Sequence, residues 1–418
     1  MHIAIIGLGP AGAVLAHRAL SRGWTVDGYD PACVTGTAGP DEEGSDIQAP
    51  AWRSTYGVSI VDLPSWARTA MTFSAVSPDL LVHTPTPRLL RNWDYAMIDR
   101  DRTRHDLTRG IRLHRERVTD LSPDALGVDV VVDCRGVVDR PGSIRQVAYG
   151  VVVPPELAES WGLGDAEFMD WRPAGPDVPD AREQTAPPSF LYIQPVEKGI
   201  LLEETVLATR QRTRDLLPLL RTRLHRRIPA LVDDAGEEVE KVVTDTETVH
   251  FPMDRRRRGW YTGVQDGIAV FGAAGGLVHP ATGYSVAAAA RTADRMLDMV
   301  EAGSLPRRAR LSAATAYHLR RFGAELIVRA DQQVLLRFFD VFFRLPHHLQ
   351  SGYLAGQGGT PVALAMVSLA AFPRQVLPFL RQTPVALRAV FGTRESSPAG
   401  RGRPTLPGGL RTLLRPRR

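Results

Sequence analysis

Ile3-Ala4-Ile5-Ile6-Gly7-Leu8-Gly9-Pro10-Ala11-Gly12 opens the chain as an apolar strand running into a glycine turn. Residues 13–22 continue with apolar side chains at helical spacing, and Gly23 leads into the strand Thr25-Val26-Asp27-Gly28-Tyr29-Asp30. Each part of this pattern has a physical reason. Gly7 permits the tight turn out of the strand, Gly9 lets backbone N–H groups approach a pyrophosphate, and Gly12 lets helix and sheet pack closely. The helix N-terminus adds a favourable dipole and free donors. Asp30, at the end of the second strand, stands where an acid is needed for the adenosine ribose. Strand, turn, helix and acid together predict a dinucleotide-binding unit. Pro10, Ala11 and the position at the extreme N-terminus favour FAD over NAD.

Composition bounds the rest. The chain has 418 residues, 44% hydrophobic and 23% charged, which suits two or three structural units with a large core. Two cysteines, Cys33 and Cys134, make neither a disulfide framework nor a metal cluster, and suggest a reducing compartment. No basic n-region precedes the first strand, and no run of about 18 apolar residues occurs, so neither a signal peptide nor a spanning helix is expected. The net charge of +5 is almost all arginine. Arg255, Arg256, Arg257 and Arg258 form one run; Arg401, Arg403, Arg411, Arg415, Arg417 and Arg418 fill the acid-free tail. Such runs read as solvated faces or disordered ends, or as attraction to anionic lipid on the order of 1 kcal/mol per charge. No aromatic residues interleave with the arginines, which argues against nucleic acid.

Further along, residues 31–55 read as a loop, and 103–120 as a helix leading to a strand. Residues 128–136 read as a buried strand ending in glycine. Residues 146–153 and 189–208 look like strands of a second sheet, separated by a proline-rich loop over 173–188. Residues 211–228 predict a basic helix. Ile268-Ala269-Val270-Phe271 is a strand that enters Gly272-Ala273-Ala274-Gly275-Gly276, and a helix follows Gly283 from Ser285 to about Ala302. Residues 312–392 read as helices broken at Pro346, Pro361, Pro373 and Pro384, and the tail as disordered.

With these segments placed, the sequence resembles the FAD-dependent lycopene cyclases of the plant and bacterial type over roughly residues 1–392. The blocks that carry the likeness begin with the first glycine motif, Tyr56-Gly57-Val58, Val132-Asp133-Cys134-Arg135-Gly136 and Gln146-Val147-Ala148-Tyr149-Gly150. They continue with Phe168-Met169-Asp170-Trp171-Arg172, Phe190-Leu191-Tyr192, Leu202-Glu203-Glu204-Thr205 and Phe251-Pro252-Met253. The last two are Gly272 to Tyr284, which contains Val278-His279-Pro280-Ala281-Thr282-Gly283-Tyr284, and Arg337-Phe338-Phe339-Asp340-Val341-Phe342-Phe343. Leu201 stands where the family has phenylalanine, and the tail beyond 392 has no counterpart in the family.

The resemblance implies an α/β fold of flavin monooxygenase-like architecture. Its Rossmann-like FAD-binding domain would be assembled from residues 1–60, 96–145 and 255–310. Residues 61–95 and 146–254 would form a β-rich substrate domain, 311–392 a helical region touching the membrane, and 393–418 a basic tail. Gly7, Gly9, Pro10, Ala11, Gly12, Asp30, Gly272, Gly275 and Gly283 would hold FAD. The implied reaction is the closure of the open ends of lycopene to β-ionone rings without net oxidation. The flavin would be reduced but not consumed, with NAD(P)H as a candidate reductant. An anionic reduced flavin would stabilise the developing cation in a dry pocket.

Protonating an alkene needs a desolvated acid, and burial keeps a carboxyl neutral. Adjacent strand residues point to opposite faces, so only one of Glu203 and Glu204 can meet a pocket. The family pattern selects Glu203 as acid and as the base that removes the final proton. Glu204 then sits behind it and positions it, or faces solvent. Asp170 either orients Glu203 or pairs with Arg172. Trp171, Arg172, His279 and Tyr284 are substrate-side candidates: Tyr284 and Trp171 as tunnel walls or core aromatics, His279 as a flavin partner or a turn cap. Residues 335–345 and 362–380 are apolar helical stretches suited to an interfacial anchor or to ordinary core. Together these readings place the protein in the cytoplasm, peripherally on the membrane. The rival readings are a flavin monooxygenase, which would carry Gly-Asp where this chain has Gly272-Ala273, a cyclase-like enzyme acting on another polyene, and a non-catalytic flavin- or lipid-binding protein.

Overall fold

The computed structural model describes residues 1–35, 47–164, 166–174, 185–231, 242–254 and 258–391. Arg255, Arg256, Arg257 and the tail from 392 lie outside the described residues, as do parts of the loops expected at 31–55 and 173–188.

The central element is β1 (His2–Ile6), which pairs in parallel with β2 (Thr25–Tyr29) and with β11 (Val130–Asp133). With β10 (Arg112–His114) and β17 (Ile268–Val270) they form a parallel sheet of order β10-β2-β1-β11-β17. Ile3, Ala4 and Ile5 are fully buried, because a parallel strand in such a sheet is covered on both faces. Helix α1 (Pro10–Ser21) begins one residue after Gly9, with Pro10 at its first position. Gly7 holds φ at +96°, and a side chain on Gly12 would lie 2.0 Å from the Gly7 carbonyl oxygen. The turn and the close approach both depend on hydrogen in place of Cβ.

A second sheet has the order β16-β12-β15-β14-β13-β7-β8. Its strands are β7 (Leu80–His83), β8 (Arg88–Leu90), β12 (Arg145–Val153), β13 (Glu167–Asp170), β14 (Phe190–Val196), β15 (Gly199–Thr209) and β16 (Asp245–Pro252). All neighbours are antiparallel except β13 and β7. A smaller sheet, β5 (Gly57–Ser59), β9 (Tyr95–Ile98) and β6 (Phe73–Ser77), lies nearby, and β3 (Val34–Thr35) pairs with β4 (Ile47–Gln48) inside the stretch expected as loop.

The remaining helices are α2 (Ser65–Ala70), α3 (Arg100–Thr108), α4 (Pro123–Leu126), α5 (Pro155–Ser160), α6 (Thr213–Arg227) and α7 (Val286–Ala302). After α7 the chain is helical: α8 (Arg307–Ile327), α9 (Gln332–Phe342), α10 (His347–Leu354), α11 (Gly359–Ser368), α12 (Pro373–Leu380) and α13 (Thr383–Phe391). Pro346 and Pro373 start α10 and α12. Breaks also fall where expected just before Pro361 and Pro384, which sit in the first turns of α11 and α13, where a missing N–H costs nothing. The break between α8 and α9 has no proline. Asp331 makes it by accepting the Val334 N–H at 2.8 Å as an N-cap.

Buried Glu325 fixes α8 to the second sheet. It accepts from Arg210, at the end of β15, at 2.7 Å, from Arg329 at 2.5 Å and from Arg321 at 3.1 Å. Among the described residues, no single helix is long and apolar enough to cross a membrane. One bent pair, Gly359–Ala371 with Pro373–Leu380 at 117°, has the length and composition together.

Candidate active site

A cavity of about 610 Å³ lies between the second sheet, the first glycine turn and the C-terminal helices. That volume falls within the roughly 300–1,000 Å³ usual for small-molecule sites. Gly9, Pro10 and Ala11 line one end; Leu369, Phe379 and Leu380 line the other. The walls between them are mostly apolar.

Strand β15 supplies the acid. Leu201, Glu203, Thr205 and Leu207 alternate onto the cavity face. Glu203 is 8% exposed, and its Oε1 accepts the Thr205 hydroxyl at 2.6 Å. Burial, and then the charge of Glu247, push the Glu203 carboxyl up to about 8, against the smaller opposing effect of Thr205. A neutral carboxylic acid therefore faces an apolar chamber at neutral pH.

Aromatic rings surround it. Tyr192 is the register partner of Glu203 on β14 and shares its face. The Tyr192 hydroxyl donates to the Tyr95 oxygen at 3.1 Å, and the Tyr95 and Tyr284 hydroxyls lie 3.3 Å apart. The Phe168 ring stacks on Tyr284 at 6.4 Å and meets Tyr95 edge-on at 5.3 Å. Burial raises all three phenols above their usual range, so they stay uncharged. Neutral aromatic faces around a proton donor suit a transient cation.

Glu204 takes the opposite environment. It is fully buried on the other face of β15, under α6, where it accepts from Arg227 Nε at 2.7 Å and from the Ser189 hydroxyl at 2.5 Å. Arg223 donates to that Ser189 oxygen at 2.7 Å. Glu204 thus meets neither the cavity nor solvent. Asp170 belongs to the same charged cluster: Arg172 grips it at 2.7 and 2.9 Å, and Arg227 approaches to 3.9 Å. Asp170 does not orient Glu203, and the Arg172 side chain is 60% exposed.

Trp171 and His279 also lie outside the cavity wall. Trp171 is fully buried, stacked on Phe339 at 4.9 Å. His279 caps its own turn: Nδ1 accepts the Ala281 N–H at 3.2 Å, which leaves Nε2 to donate to the Tyr353 carbonyl at 3.2 Å. Burial, and then Arg320, hold the imidazole well below its ordinary value.

The glycine positions divide in two. Gly9, Gly272 and Gly283 line the cavity with Pro10 and Ala11. Gly272 has φ +59°, and a Cβ there would lie 2.7 Å from the Ala11 Cβ, so the two glycine junctions meet at this point. Gly7, Gly12 and Gly275 act by packing; a Cβ on Gly275 would press on Trp260 at 2.9 Å. Asp30 accepts the N–H groups of Leu8 at 3.1 Å and Ala32 at 2.9 Å, and pairs with Arg104 at 2.8 Å. It braces the first glycine turn from behind.

Tyr95, Phe168, Tyr192 and Thr205 were not singled out in the sequence as site residues, although three of them stand in blocks carrying the family likeness. Period-two alternation from Glu203 identifies Thr205. Tyr192 and Tyr95 require knowledge of strand register.

The parallel sheet, its two glycine junctions and the covered apolar chamber define a Rossmann-type α/β protein with a buried acid site. The sequence profile described as lycopene cyclase protein matches residues 2–380, and the chain belongs to that family. It is 27% identical to the chloroplastic lycopene beta cyclase of Arabidopsis thaliana, over 85% of this chain and 74% of that protein. It is 26% identical to the lycopene beta cyclase of Synechococcus elongatus, over 85% and 89%. A protein of Deinococcus radiodurans described as an uncharacterized carotenoid cyclase is 28% identical over 84% and 85%. Among solved structures, a flavin-dependent brominase aligns with 90% of this chain and 100% of its own at 15% identity and a TM-score of 0.48.

Proposed function

We propose that this chain closes the open ends of lycopene, or of a closely similar polyene, into β-ionone rings by acid–base chemistry at Glu203. The observation that carries this reading is a neutral, buried carboxyl projecting into an aromatic-walled apolar cavity that reaches a dinucleotide-type glycine turn. In the reaction, the Glu203 proton goes to a carbon of the terminal double bond. The cation so formed is attacked by the neighbouring double bond, which makes the ring bond. A proton on the carbon next to the new cation returns to the carboxylate, and the product is an isomer of the substrate. Phe168, Tyr95, Tyr192 and Tyr284 shield the cation from water and face it with electron-rich rings. Thr205 holds the Glu203 carboxyl in place.

The glycine junctions fit FAD. No neighbour lies within 4 Å of a Cβ built on Gly9 or Gly136, so both leave room at the cavity wall, and the N-terminus of α1 favours a pyrophosphate. Gly9, Pro10, Ala11, Gly272 and Gly283 would hold it, with Asp30 bracing the turn. Reduced FAD, when bound, supplies negative charge to the chamber; NAD(P)H is the reductant we infer for it.

The membrane would deliver the substrate. The far end of the cavity is walled by α11 and α12, whose outer faces expose Leu364, Val367 and Leu377 beside Arg374. Apolar side chains flanked by a basic group suit the headgroup boundary of a bilayer. This reading makes the protein peripheral.

Pigment chromatography from lycopene-producing bacteria tests the proposal. Expression of the wild type should yield monocyclic or bicyclic carotene, and Glu203→Gln should leave lycopene intact. A folded wild-type protein that leaves lycopene unchanged would overturn the reading and direct attention to other polyenes.

A further inference from the structure

On β12, Gly150 is the register partner of two glutamates at once: Glu203 on β15 and Glu247 on β16. Residues directly opposite in antiparallel strands share a face, so Glu203, Gly150 and Glu247 form a row on the cavity side of the sheet. The two outer Cα atoms stand two strand spacings apart, roughly 10 Å. Glycine at the middle position leaves the space above it to the Leu201 and Glu203 side chains. A Cβ on Gly150 would lie 3.0 Å from the Leu201 side chain and 3.2 Å from both Cβ and Cγ of Glu203.

Glu247 is half-buried and fixed. It accepts the Thr55 backbone N–H at 2.8 Å through Oε1, and the Thr55 hydroxyl at 2.5 Å through Oε2. It also lines a second, polar cleft of about 190 Å³ at the protein surface, with Arg53, Arg100, Lys198 and Asp245. Lys198 is paired with Asp245 at 2.9 Å. Ser54, Thr55 and Met97 line both this cleft and the apolar cavity, so a thin wall divides them. Other titratable groups lining the apolar cavity are the phenols of Tyr56, Tyr95, Tyr192, Tyr284 and Tyr353 and the Cys134 thiol; Tyr56 also feels the charge of Glu247. Asp139 and His250, paired with each other at 3.1 Å, also sit at the cavity wall.

We propose that Glu247 is a positioning residue that keeps Glu203 loaded with its proton, and that the pair exchanges protons with water through the polar cleft instead of the apolar cavity. The inference rests on Glu203 being the acid of the proposed reaction. If Glu203 is left ionised, a proton from water in the cleft enters on the Glu247 side and passes to Glu203, and Glu247 ends as the carboxylate it began as. The negative charge of Glu247 opposes a second charge across Gly150, in line with the upward push on Glu203. The cavity itself then needs no water.

Infrared titration of the purified protein without substrate tests this. The wild type should show a protonated-carboxyl band that disappears in Glu203→Gln and titrates near pH 8. In Glu247→Gln the midpoint should fall by about one pH unit or more. At pH 8 that leaves roughly fivefold less protonated acid. Glu247→Asp should stay at the wild-type position. A glutamine-variant midpoint equal to wild type overturns the pairing. Should Glu247→Gln fail to fold by circular dichroism, Glu247→Thr carries the same two outcomes. The alkaline limb of kcat on lycopene vesicles should move in step. If the midpoint moves but the wild type leaves lycopene untouched, the pairing stands and the cyclase reading falls. If lycopene is converted and the midpoint stays, the reverse holds.

Discussion

Replacing Glu203 by glutamine has a second consequence besides loss of turnover, and it concerns stability. The folded carboxyl titrates near 8, against an ordinary value of 4.5. The folded state therefore keeps a proton that the unfolded chain releases. The stability this gives is complete below pH 4.5 and is lost progressively as pH rises towards 8. Glutamine has no such dependence. Calorimetry should show the Glu203→Gln variant melting close to wild type at pH 4 and above it at pH 9, by on the order of a few kcal/mol. Glu204→Ala should behave in the opposite way. It leaves the buried Arg227 guanidinium with only the longer Asp170 contact of 3.9 Å, and urea unfolding should register a loss of about 3 kcal/mol at neutral pH. Two adjacent glutamates thus give one defect of chemistry and one of folding. The sequence separated them by alternation alone, and the family likeness named Glu203. What it lacked was the partner of Glu204, because Arg227 comes from a helix beyond the next connection and no local spacing announces it.

At the scale of elements, the first glycine turn gives the sharpest expectation. Gly12→Ala puts a methyl group on the Gly7 carbonyl oxygen, so α1 must tilt away from β1. Purified Gly12→Ala protein should lose flavin absorbance and melt several degrees lower, since a forced overlap in packed surroundings costs roughly 1–3 kcal/mol. The strand, glycine turn and helix of this junction were legible in the sequence because they lie within thirty residues; that Asp30 pairs with Arg104 was not. Strand β15 was legible for the same local reason. The row Glu203–Gly150–Glu247 was not, because three strands separated by about fifty and about a hundred residues had to be aligned to one position. The prolines marked the breaks, each at the start of the helix that follows. Pro361 and Pro384 lie in the first turn after a break, because a first-turn proline is compatible with a helix start. The additional break before α9 has no proline and is made by Asp331 as a cap.

For the whole molecule, the proposed route of a hydrocarbon to Glu203 passes the C-terminal helices that wall the far end of the cavity. Val367 and Leu377 are 70% and 60% exposed on the outer faces of the helices that close the cavity. The double variant Val367→Glu, Leu377→Glu should keep its fold and lose co-sedimentation with anionic lipid vesicles. Turnover of vesicle-borne lycopene should fall at least tenfold, while Glu203 still titrates normally. Unchanged sedimentation would remove the membrane face from this surface. The sequence supplied the apolar stretches but could not say which side chains pack inward, since α11 and α12 contribute to the cavity wall and to the surface at once.

The second sheet has a further consequence for how such a protein can change. Along β15 one set of alternate positions, Leu201, Glu203, Thr205 and Leu207, forms the chamber. The other set, Leu202, Glu204 and Val206, grips α6. Substitutions on opposite faces share few partners, so their free energies should be close to additive. A lineage could therefore reshape the chamber for a bulkier or shorter polyene through the first set, and recover any lost cohesion through the second. Neither search would undo the other, because a single extended strand keeps heredity's two tasks on separate sides.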